Sequence, residues 1–101
     1  MMTFRNFTPH QINLNDGRSF DSEGIARVSV TFTNIENDVC DQLFGDVIGL
    51  PEQEDDVFLI VSGMVLSANE TRNDLVAPAT GHSDTLRNDR GHIISVPGFV
   101  R

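Results

Sequence analysis

The run Val57-Phe58-Leu59-Ile60-Val61 is apolar at five successive positions, so a strand built from it is buried on both faces and belongs at the centre of a sheet. It is strand-sized, and no stretch of about 18 or more apolar residues occurs in the chain, which leaves no helix long enough to span a membrane. Ser62 follows at once and can cap a helix of about two turns over Gly63–Glu70, where Met64, Val65 and Ala68 fall at helical spacing.

The other elements are short and separated by single glycines and prolines. Gln11–Leu14, Asn15-Asp16-Gly17-Arg18 and Ser19-Phe20 read as a hairpin, because Asp-Gly supplies the positive φ of a tight turn. From Ile25 to Thr33, Val28, Val30 and Phe32 alternate with polar residues, the period of a half-buried strand. Asn37–Asp46 fits both helix and strand patterns and is taken as extended, ending at Gly49-Leu50-Pro51. Glu52–Asp56 is a solvated acidic loop, and Leu75-Val76-Ala77 is a strand that Pro78 stops or confines to an edge. A second hairpin joins Thr85–Arg87 to His92–Val96 through Asn88-Asp89-Arg90-Gly91, with Gly91 at the left-handed position of a bulged turn. The sum is one domain over residues 1–101 of mainly β or α+β class: a small antiparallel sheet with two hairpins and one short helix.

Charge restricts the partners. Fifteen acidic residues face seven basic ones, all arginine, for a formal charge of −8, which argues against binding duplex nucleic acid through its phosphates. Cys40 is the single cysteine, so neither an internal disulfide nor a multi-thiolate site can form, and it reads as a small buried hydrophobe. The opening MMTFRNFTPH has no apolar core of a secretion signal, so the cytoplasm is the expected location. A small sheet with seven Phe and one short helix leaves a face or edge uncovered, which predicts a homo-oligomer.

Phe7-Thr8-Pro9-His10-Gln11-Ile12-Asn13-Leu14, Gly49-Leu50-Pro51-Glu52, Phe58–Val65, Asp74–Gly81 and Arg87–Ile93 together resemble a group of small uncharacterised proteins carried by bacteriophages and prophages. Those share a T-P-H-x-I-N opening followed by G-L-P-E, I-V-S and D-L-V-A-P segments. The resemblance implies an accessory phage protein working in the host cytoplasm. By analogy, such proteins disarm host defences by soaking up nucleotide second messengers or by blocking a host protein.

Four places carry candidate chemistry. Thr8-Pro9-His10, beside Asn13, offers a hydroxyl and an imidazole; the plainer reading is a turn fixed by side-chain to backbone bonds. Ser62-Gly63 lies where a strand enters a helix, a place for an anion or simply a cap. A nucleophile elbow is excluded because Ile60 stands where G-x-S-x-G requires glycine. Thr80-Gly81-His82-Ser83-Asp84, followed by Arg87 and Asn88, is a polar loop through which backbone and guanidinium can reach a phosphate, or a surface connection. Scattered Arg27, Arg72 and Arg87 can converge with His10 and His82. His10, His82 and His92 lack ligand spacing, so no metal or other cofactor is expected. The expected function is therefore non-enzymatic: binding of a small anionic ligand, a nucleotide-derived host signal. An acidic inhibitor of a host protein and a small hydrolase stand as alternatives.

Overall fold

The computed structural model describes residues 2–69 and 71–101. In chain order it contains β1 (Thr3–Asn6), β2 (Ile12–Asn13), β3 (Ser19–Phe20), β4 (Arg27–Phe32), β5 (Gln42–Ile48), β6 (Val57–Ile60), α1 (Gly63–Ala68), β7 (Leu75–Pro78), β8 (Leu86–Arg87), β9 (Ile93–Ser95) and β10 (Phe99–Val100). The central sheet has the order β1-β6-β7-β10, and β6 takes the interior position that its continuous apolar run requires. Leu59, Ile60 and the adjoining Val61 are all buried.

Antiparallel pairing holds at β7–β10 and in three separate ribbons, β2–β3, β4–β5 and β8–β9. The β1–β6 and β6–β7 pairs of the central sheet are parallel, with Phe4 opposite Phe58 and Leu59 opposite Leu75. A parallel pair needs a crossover connection, and α1 supplies it between β6 and β7. Ser62 starts that helix: its Oγ accepts the Val65 N–H at 3.3 Å. Val65 turns into the core, whereas Met64, expected beside it, is exposed, because one step along a helix is a rotation of about 100°. Glu70, expected to close the helix, lies outside the described residues.

Alternation along the strands divides the interior into two layers. On one side Phe7, Leu59, Val61 and Leu75 meet Val65 of α1 and Ala26. On the other, Phe4 and Phe58 pack with Phe20 of β3 and Phe99 of β10, ring centroids 4.9 to 6.0 Å apart. Such aromatic pairs add about 0.5–1.5 kcal/mol each beyond their area.

The two hairpins expected at Gly17 and Gly91 form, with φ of 97° and 80° at those glycines and a register shift at Leu86/Arg87. Of the stretch 37–46, expected as extended, residues 42–46 lie in β5 and are extended, while 37–38 form a turn. Asn37 and Asp38, at φ 51° and 66°, reverse the chain between Glu36 and Val39 and so make β4 and β5 a third hairpin. Gly49 ends this arm at φ 90°, where a Cβ would collide with the carbonyl oxygen of Ile25. Cys40, expected in the core, is only half-buried on the arm. The Cα radius of gyration, 15.4 Å, exceeds the ~13 Å of a compact chain of this length, as a projecting arm requires. No helix is long and apolar enough to cross a membrane among the described residues.

Candidate ligand-binding cleft

Strands β1, β6 and β7 run in the same direction, so the segments leaving their carboxyl ends gather at one edge of the sheet. These are Thr8-Pro9-His10 after β1, Ser62-Gly63 after β6 and Ala79–His82 after β7. They line a cleft of about 730 Å³, closed by Leu66 and Ser67 of α1, Ile12 of β2 and Val100 of β10. The carboxyl edge is where open sheets with parallel strands place ligands, since loops there diverge and leave backbone groups facing outward.

The loop after β1 is set by Asn6, which is 0% exposed. Its Nδ2 donates to the carbonyls of His10 at 2.8 Å and Phe20 at 2.9 Å, while its Oδ1 accepts the Thr8 N–H at 2.9 Å and lies 2.7 Å from the Thr8 hydroxyl. Ser22 Oγ adds a bond to the Thr8 carbonyl at 2.7 Å. The Thr8-Pro9-His10 backbone is thereby fixed while the His10 side chain stays at the surface.

The loop after β7 is braced as thoroughly. His82 N–H and the Thr85 hydroxyl both donate to the Ala79 carbonyl, at 3.1 and 2.8 Å. Arg87 donates to the carbonyls of Thr80 and Gly91 at 3.2 and 3.0 Å. Asn15 holds the far side, donating to the Asp84 carbonyl at 2.8 Å while accepting from Ser95 Oγ at 2.6 Å. His82 Nδ1 accepts the Asp84 N–H at 3.0 Å, which makes Nε2–H the donor of the neutral ring. Neither Gly63 nor Gly81 has a positive φ, and a Cβ on either would meet nothing within 4 Å. Packing does not require glycine at these two places; their lack of a side chain keeps the cleft wall low.

Six of the eleven candidate residues meet here: His10, Ser62, Gly63, Thr80, Gly81 and His82. Asn13 lies with Thr80, Ile12 and Pro78 in an adjoining groove of about 220 Å³. Arg87 stands behind the loop as a brace, and Asn88 serves its own turn, its Oδ1 accepting the N–H groups of Arg90 and His92. The arginines do not converge. Arg27 is on the arm beside Asp46, and Arg72 pairs with Asp74 at 2.6 Å and donates to the Pro51 carbonyl at 3.2 Å. Of the three, Arg72 alone is held by a carboxylate. Asn6 and Asn15, which position the two loops, carry no signal in sequence beyond their type.

Among the described residues no group of three His, Cys, Asp or Glu side chains is placed to hold a metal ion. In comparisons with known proteins, no family model, no curated protein and no solved structure matches the chain.

Proposed function

We propose that the protein binds a small anionic ligand with a flat apolar moiety, of nucleotide type, in the cleft at the carboxyl edge of β1, β6 and β7. One observation carries this reading: in a chain of formal charge −8, no carboxylate stands among the described residues that line the cleft. Its polar groups are the hydroxyls of Ser62, Ser67 and Thr80 and the imidazoles of His10 and His82, all able to donate hydrogen bonds, while the Thr8 hydroxyl is engaged by Asn6. Ile12, Leu66, Pro78 and Val100 supply apolar walls against which a planar base can lie. Binding without turnover fits the engagement of the reactive groups: Ser62 Oγ caps α1 and His82 Nδ1 is held by a backbone N–H. With the bacteriophage resemblance, this reading makes the protein a sponge for a nucleotide-derived signal of host defence.

Native mass spectrometry of protein purified from bacterial cells tests it. A retained small molecule that denaturation returns intact supports the reading, and release of hydrolysis products supports the hydrolase alternative. Gly81→Val, which adds a side chain to a cleft-lining position without a backbone conflict, should abolish retention while leaving the melting temperature within a few degrees. Retention by that variant equal to the wild type would place the ligand elsewhere.

A further inference from the structure

Among the described residues, one buried side-chain polar atom has no hydrogen-bond partner: Nδ2 of Asn69, the residue that ends α1. A buried donor left unmade costs stability, and such an orphan calls for an acceptor from outside the chain. Asn69 lines a hollow of about 380 Å³ together with Ser67, Arg72, Asn73 and Arg101. The hollow shares only Leu66 and Ser67 with the cleft and does not depend on that assignment.

This hollow is supplied with donors. Asp74 takes Nε and Nη2 of Arg72 at 2.9 and 2.6 Å, and the Pro51 carbonyl takes Nη2 at 3.2 Å, so Nη1 has no acceptor among the described residues. Oδ1 of Asn73 accepts from Gln53 Nε2 at 2.8 Å, which leaves the Asn73 Nδ2 as its open group. Arg101, its Cζ 5.2 Å from the centre of the Phe58 ring, enters no ion pair among the described residues. The acceptors beside them are already used. The Leu66 and Asn69 carbonyls accept the N–H groups of Asn69 and Arg72 at 3.2 and 3.1 Å. No carboxylate stands among the described residues that line the hollow, in a chain of formal charge −8.

We propose that this hollow is a second ligand site, which binds the phosphate group of a small molecule. Geometry selects phosphate over carboxylate. A planar carboxylate is matched by the Nε and Nη2 edge of a guanidinium, and Asp74 already holds that edge of Arg72. The open donors lie on separate segments: Asn69 at the end of α1, Arg72 and Asn73 before β7, and Arg101 after β10. Oxygens that diverge tetrahedrally from one centre can serve donors on several segments at once.

Amide NMR titration of the full chain at fixed ionic strength, with inorganic phosphate, glycerol phosphate and acetate as separate probes, tests the proposal. Either phosphate should move the amides of Asn69, Arg72 and Asn73 in a saturable way, and the tighter of the two tells the free ion from a phosphomonoester as occupant. Acetate should produce no saturable shift. Asn69→Leu removes the orphan donor with a side chain of similar shape. It should melt at or above the wild type without phosphate, yet bind phosphate at least about tenfold more weakly. Arg101→Ala, at an exposed position, should weaken binding by about threefold or more, whereas Arg90→Ala, the same charge change on the second hairpin, should bind like the wild type. No saturable shift with either phosphate, acetate acting as well as phosphate, wild-type binding by Asn69→Leu, or equal losses from Arg90→Ala and Arg101→Ala would overturn the proposal.

Discussion

Replacing Asn6 by alanine removes a side chain that joins three segments at once. Its bonds to the Thr8 N–H and hydroxyl lie in the interior, and those to the His10 and Phe20 carbonyls are partly buried. A net worth of about 1 kcal/mol per bond, plus the cost of leaving the interior Thr8 N–H without a partner, gives a loss of about 3–5 kcal/mol. For a domain of this size that lowers the melting temperature by roughly 12 °C or more. Asn6→Asp separates hydrogen bonding from packing. The shape is kept and the Thr8 bonds survive, but the amide nitrogen that donates to two carbonyls becomes one carboxylate oxygen facing both, so the loss at pH 7 should match or exceed that of alanine. Urea unfolding of both variants measures it. A loss under about 1 kcal/mol for alanine, or a neutral aspartate, would refute the view that Asn6 organises the loop after β1.

Three further outcomes are expected. Arg72→Ala strands Asp74, 4% exposed, without its counter-charge and should cost about 2–4 kcal/mol in urea unfolding, while Arg72→Ala combined with Asp74→Ala recovers part of it and ligand retention is unchanged. Arg87→Ala, which loosens the loop around Thr80, should cost under about 1 kcal/mol in stability but weaken ligand binding by about three- to tenfold in calorimetry, with lysine restoring only part. The Asp16 carboxyl is held below its ordinary value of 3.8, chiefly by the Arg18 N–H and then by the Arg18 side chain. Its contribution is present above that value and lost as pH falls through the lowered one, so Asp16→Ala should melt slightly below the wild type at neutral pH, with the two curves meeting in acid.

What the sequence declares is its local chemistry. The hairpins at Gly17 and Gly91, the Ser62 cap and the interior strand Val57–Val61 each follow from a few adjacent residues, and each forms. The third hairpin is harder to read because its turn, Asn37-Asp38, contains no glycine; the tolerance of Asn and Asp for positive φ was the available signal. The parallel pairing of β1 with β6 joins residues more than fifty positions apart, and nothing local encodes such a register. The same holds for the cleft. Its loops are recognisable one at a time as polar segments after apolar runs, but their convergence depends on three strands pointing the same way. Arg27 and Arg72 looked like phosphate ligands by residue type, and the fold sets Arg27 on the arm and pairs Arg72 with Asp74 instead.

The most direct test is an amide NMR titration of the full chain with a panel of mononucleotides, nucleotide sugars and cyclic dinucleotides. Binding in the cleft should move the amides of His10, Gly63, Gly81 and His82 in a saturable way and leave those of the arm, residues 27–48, in place. Saturable shifts confined to the arm or to Arg72 and its neighbours, or no shifts at millimolar concentrations of every compound, would contradict the assignment of this cleft.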